Sequence, residues 1–72
     1  MIYRMWTSDE IKALRTRYGE TQRQFAENRL GVSVETVRFW EQGRGVPSGP
    51  AAKLLERLKE DADLGQIREA VA

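Results

Sequence analysis

Between Ser33 and Arg44 the chain reads Ser-Val-Glu-Thr-Val-Arg-Phe-Trp-Glu-Gln-Gly-Arg, a run whose residue types can read a surface. On a helix advancing about 100° per residue, Val37 and Trp40 share one side. Glu35 and Phe39 fall opposite, with Arg38 beside them. An acid, a cation and an unburied aromatic on one short outward face match the chemistry of base edges. A carboxylate accepts from a cytosine amino group, a guanidinium reads guanine or grips phosphate, and Val34 and Phe39 can meet thymine methyls. Ser33 caps the helix and its hydroxyl can also meet a phosphate, while Thr36 lies on the edge of the same face. The plainer alternatives are an exposed Glu35–Arg38 pair worth about 0.2–0.5 kcal/mol and a dimer contact through Phe39. Trp40 belongs with the core.

Other chemistry is limited by inventory. The chain has no cysteine and no histidine, so disulfides, zinc fingers, thiol nucleophiles and His-based acid/base catalysis are not expected. Glu56 and Glu60 stand four apart, but the plain reading of such a pair is a solvated helix face rather than a glycosidase dyad. No enzyme activity, metal or cofactor is expected. The 72 residues suit one domain spanning 1–72. No apolar run approaches a membrane span and Met1 to Trp6 is too short for a secretory signal, so a soluble, cytoplasmic protein is expected.

The formal charge of +1 hides a division. Residues 1 to 53 hold nine basic and six acidic side chains, and residues 54 to 72 three basic and five acidic. Nine of the twelve basic residues are arginine, the side chain suited to forked phosphate and guanine contacts.

Helix-start signals recur along the chain and set the elements that must position these groups. Thr7 with Glu10 forms a capping box, and Trp6 with Ile11 a hydrophobic staple; Ile11, Leu14 and Tyr18 then share a face up to Gly19. Thr21 with Gln24 makes a second box, followed by Phe25, Ala26 and Leu30, with Gly31 as the stop. Ser33 starts a third helix, stapled by Val32 and Val37 and ending at Gly43. Gly43 to Pro50 reads as a turn-rich connector, and Ser48 with Pro50 as the start of a fourth helix carrying Leu54, Leu55 and Leu58. Asp61 to Asp63 is expected to interrupt it, and Asp63 with Gln66 to cap a fifth helix bearing Leu64, Ile67 and Val71. Four or five short helices give a compact all-α domain, with residues 59–72 as a C-terminal helix available for dimer contact. Two short helices around Gly31 form a helix-turn-helix arrangement, whose second helix enters the major groove by its N-terminal residues.

The run Thr21-Gln22-Arg23-Gln24-Phe25-Ala26, then Leu30-Gly31-Val32-Ser33 through Trp40-Glu41-Gln42-Gly43-Arg44, resembles the Xre/Cro/CI family of helix-turn-helix regulators, with a lambda-repressor-like fold. With Pro47-Ser48-Gly49-Pro50-Ala51 and Leu54-Leu55 it looks most like HigA-like and MqsA-like antitoxin-type members, or small phage-type, anti-CRISPR-associated repressors. The resemblance covers about residues 11 to 58. It implies that Gln22 binds a phosphate and supports the recognition helix, with Arg23 a weaker neighbour and Gln24 absorbed in its cap. It further implies that Arg44 grips the DNA backbone and that Arg15 pairs with Glu41 across the fold. One departure stands out: Glu27, Asn28, Arg29 and Leu30 separate Ala26 from Gly31, where the family usually has three residues. The extra residue must bulge the second helix or lengthen the turn.

The implied function is a DNA-binding repressor and autoregulator that meets a palindromic double-stranded operator as a homodimer. The alternatives are an antitoxin that also binds a toxin protein, and a protein-interaction module without DNA binding. A separate toxin-binding domain or long tail is not evident, which favours a phage-type repressor over an antitoxin. For the interaction module the candidates are the acidic C-terminal helix and the apolar arm Ile2, Tyr3, Met5 and Trp6, the arm serving alternatively as core seal or dimer seam.

Overall fold

In the computed structural model, which describes residues 5–65, four helices enclose one apolar core. Helix α1 spans Ser8–Arg17. Helix α2 begins as Gln22–Gln24 and continues without a break as a π-helical turn, Phe25–Leu30. Helix α3 is Val34–Glu41 and α4 is Pro50–Asp63. No strand occurs among the described residues, so the architecture is all-α, as the sequence patterns and the resemblance imply.

Local chemistry explains the starts. Thr7 and Thr21 each accept from the backbone N–H three residues on, and Glu10 and Gln24 return the bond to the cap N–H, so both capping boxes form. Ser33 accepts from the Thr36 N–H at 3.3 Å. Trp6, Ile11 and Val37 are buried, with Val32 packed against the same cluster, which places both staples in the core.

The core takes Ile11, Leu14 and Tyr18 from α1, Phe25, Ala26 and Leu30 from α2, Val37 and Trp40 from α3, and Leu55, Leu58 and Ala62 from α4. Burial of each large side chain contributes about 1.5–3 kcal/mol before entropy is counted. The Tyr18 hydroxyl donates to the Leu58 carbonyl at 2.7 Å, satisfying a polar group that would otherwise be costly inside.

Three expectations need correction. Asp61 to Asp63 does not interrupt α4, which runs on to Asp63. The low helix preference of aspartate, under about 0.7 kcal/mol, is outweighed by burial of Leu58 and Ala62, and Asp63 is tied to Lys59 one turn back at 2.8 Å. Asp63 therefore closes α4 and does not cap a fifth helix, and residues 59–63 of the expected C-terminal helix belong to α4. The rest of that helix, with Gln66, Ile67 and Val71, lies outside the described residues, as do Ile2 and Tyr3 of the N-terminal arm. Finally, Ser48 does not start α4; Gly49 occupies the cap at φ 56° without a side-chain bond, and Pro50 follows in the first turn, where its missing N–H costs nothing.

The extra residue before Gly31 is taken up inside the helix. The Gly31 N–H reaches back five residues to the Ala26 carbonyl, the bonding that defines a π turn, and the Val32 N–H shares that carbonyl at 3.1 Å. The wider winding lets Leu30 follow Phe25 and Ala26 into the core. Gly31, at φ 67°, then turns the chain toward α3 in a conformation that a Cβ disfavours.

Candidate nucleic-acid interface

Helix α3 divides as the wheel requires. Val37 and Trp40 are buried, while Glu35, Arg38 and Phe39 are exposed and Val34 and Thr36 half-buried. Phe39 keeps 49% of its surface in solvent, a large apolar exposure for an eight-residue helix. At the start of α3 the Ser33 and Thr36 hydroxyls lie 2.9 Å apart, so each is already partnered. The Thr36 N–H is taken up by Ser33, and the helix dipole at this end favours an anion.

Arg38 and Glu35 form an ion pair at 2.6 Å, with 47% and 64% of their side chains exposed. The pair holds both heads on the outward face. Its worth, a few tenths of a kcal/mol, is small enough for base or phosphate contacts to replace it.

The far end of α3 is fixed by a carboxylate. Glu41, whose side chain is only 2% exposed, accepts from Arg15 Nε at 2.8 Å and Nη2 at 3.0 Å, a forked geometry that sets direction as well as distance. Gln22 Nε2 donates to the same carboxylate at 3.2 Å. Burial opposes ionisation of Glu41, but the hydrogen bonds from Arg15 and Gln22 prevail and its pKa lies below the usual carboxylate value. The Arg15 guanidinium is correspondingly held protonated, its pKa raised mainly by the bond to Glu41. One acid thus joins α1, the start of α2 and the end of α3. The Arg15–Glu41 pairing implied by the resemblance is present.

Gln22 is placed against the end of α3 by its bond to Glu41 and is half-buried at the start of α2. Arg23 is exposed and pairs with Glu27 at 3.2 Å. Gln24 Oε1 accepts from the Thr21 N–H at 2.9 Å, which spends it on the cap. Arg44 is exposed just beyond α3. Its N–H bonds the Phe39 carbonyl at 2.9 Å and the Gly43 N–H bonds that of Trp40 at 3.1 Å, a Schellman ending that projects a cation where the helix dipole is negative.

Residue patterning missed a second charged cluster. Arg29, in the π turn, donates through Nε to both Glu20 oxygens at 3.1 and 3.2 Å. Its guanidinium carbon lies 4.6 Å from the centre of the Tyr18 ring. The clue was the extra residue itself, since a bulge displaces a side chain that then requires new partners.

A helix-turn-helix family profile matches residues 11–58, the span from within α1 through most of α4. The chain belongs to the Xre-type helix-turn-helix family. Members of this family are DNA-binding transcription regulators and are generally not enzymes. The helix-turn-helix chain is also similar to the antitoxin HigA-2 of Vibrio cholerae, at 37% identity over 62 residues. That match covers 85% of the chain and 59% of the relative, so the chain spans somewhat more than half of that protein's length. No solved structure matches. Among the described residues, no helix is long and apolar enough to cross a membrane.

Proposed function

We propose that the chain is a sequence-specific transcriptional repressor that inserts α3 into the major groove of a palindromic operator as a homodimer and controls its own promoter. The observation that carries the reading is the divided α3, with a buried Val37/Trp40 side and an outward face of exposed Glu35, Arg38 and Phe39 bordered by half-buried Val34. Ser33, Gln22 and Arg23 border the phosphates, Thr36 flanks the base-facing side, and Arg44 holds the backbone at the far end. Glu35 accepts from cytosine, Arg38 donates to guanine, and Val34 and Phe39 pack on thymine methyls.

A single module of this size buries about 600–1,000 Å² on DNA, too little for high affinity alone. Two copies on half-sites about 34–36 Å apart supply the rest. The assay is fluorescence polarisation on DNA from the chain's own upstream region. Binding should fall steeply with salt as neutralised phosphates release counterions. Arg38→Ala should cost about 1–3 kcal/mol at one base position and relax preference there, whereas Arg44→Ala should weaken all sequences alike and reduce the salt slope by about 1. Equal loss of preference from both substitutions would overturn the assignment.

A second reading follows from the similarity to an antitoxin: the same chain also neutralises a toxin protein. Co-purification with the product of the adjacent gene distinguishes a repressor that works alone from one that also holds a toxin. For the dimer, light scattering after removal of residues 1–5 tests the N-terminal arm as the seam. Trp6, only 2% exposed, is kept because it seals the core. An unchanged dimer places the seam elsewhere.

A further inference from the structure

The π turn is connected to the recognition helix by a continuous line of polar contacts. Arg29 donates to the Glu20 carboxylate. The Glu20 backbone carbonyl accepts from Arg15 Nη1 at 2.9 Å. Arg15 forks onto Glu41, the last residue of α3. Glu20 therefore faces two ways, its side chain holding the turn before α3 and its main chain holding the arginine that fixes the helix's end.

The cluster is too enclosed to be ordinary surface pairing. The side chains of Arg29 and Glu20 are 11% and 10% exposed. Arg29 stacks over Tyr18 at 4.6 Å, and Tyr18 is itself anchored to the Leu58 carbonyl of α4 and tilted against Phe25 with ring centres 6.0 Å apart. A charge this far out of water needs its partner in place, and the flat guanidinium satisfies carboxylate and ring together in a way lysine does not. The unusual winding places Arg29 in this slot, and π turns commonly coincide with functional positions.

We infer that Arg29 is a positioning residue for DNA reading: through Glu20 and Arg15 it sets the pose of α3, so that the π turn tunes which bases the exposed face meets. This rests on the proposed DNA-binding role, and one readout below is independent of it.

The test compares wild type with Arg29→Met, which keeps the length but removes charge and fork, and Arg29→Lys, which keeps the charge. All are measured at a temperature where circular dichroism shows each fully folded. Wild type should reject single-base variants of its preferred site by about 5- to 150-fold. Arg29→Met should lose most of that discrimination, falling to about twofold, while its affinity for random-sequence DNA, which phosphate contacts dominate, stays within about twofold. Arg29→Lys should fall between them, and it carries the test alone if Arg29→Met does not fold. In the free protein, the NMR amide shifts of Val34–Glu41 should move in the same order.

A merely structural role predicts another result: at that temperature neither specific nor random binding changes, and both decline together only where heating unfolds the variant. Undisturbed α3 shifts with unchanged base preference in a folded variant would overturn the inference. If wild type shows no sequence preference, the DNA reading has failed, while the α3 shifts still decide whether Arg29 positions the helix.

Discussion

In the proposed complex Arg38 meets DNA already committed to Glu35, 2.6 Å away, so any base contact begins as an exchange of partners. Glu35 also carries a negative charge on the face that approaches phosphates in that complex. Glu35→Gln should therefore raise affinity for random DNA by about twofold to fivefold, on the scale of a single screened charge, while discrimination against other sequences falls; a titration against specific and random duplexes checks both. Glu41 presents the opposite case, a carboxylate removed from water and satisfied by Arg15 and Gln22. Arg15→Ala strands it and should cost about 3 kcal/mol, a large part of what so small a core supplies, measured by urea unfolding. Because the folded-state pKa of Glu41 is lowered from 4.5, its contribution is complete above that unfolded value and is lost as pH falls through the lower folded one. Glu41→Gln should be less stable at neutral pH and lose less stability on acidification, seen as a flatter Tm profile below about pH 4.5. The Arg15–Glu41 pair was legible because family resemblance carried it. The bond from Gln22 was not: it joins positions 19 apart in sequence, and a long amide can face solvent or a neighbouring helix with the same local pattern.

At the level of elements, starts were more legible than ends. Capping boxes at Thr7 and Thr21 and the cap at Ser33 are local bonds spanning three residues, so local sequence specifies them. The end of α4 was decided by Ala62 in the core and by Arg17, which bonds Asp63 from α1 at 2.7 Å, a partner 46 positions away. Ser48 was read as a cap because its side chain suits one, but the chain instead uses Gly49 at φ 56°. The extra residue before Gly31 announced a bulge or a longer turn, and closure of the Phe25–Leu30 side onto the core selected the bulge. Gly31→Ala tests the turn between α2 and α3. A Cβ at Gly31 meets nothing within 4 Å, yet φ is +67°, so the cost is backbone strain alone, about 1–2 kcal/mol. Thermal unfolding should show a drop of several degrees; no change would mean that the turn relaxes to another conformation.

On the scale of the whole molecule, the near-neutral total conceals the basic excess of residues 1 to 53, the part that contains α1 to α3 and meets phosphates in the proposed complex. The described residues extend 28 Å along their two longer axes, against a half-site spacing of about 34–36 Å. Two copies on successive turns of one DNA face leave only a narrow gap, so a dimer contact can be made at the molecules' edges. Inserting about 5 base pairs between half-sites rotates the second to the opposite face of the duplex, since a turn takes about 10–10.5. Gel shift should then show affinity falling to that of one half-site; undiminished binding would refute the paired arrangement. The separation of faces on α3 also bears on how such a protein acquires new targets. Val34, Glu35, Arg38 and Phe39 stand outside the buried cluster that Val37 and Trp40 join. The identities of the three exposed ones are almost free of the requirement to fold, so under the proposed reading the scaffold can be given a new address on the genome by rewriting a few letters.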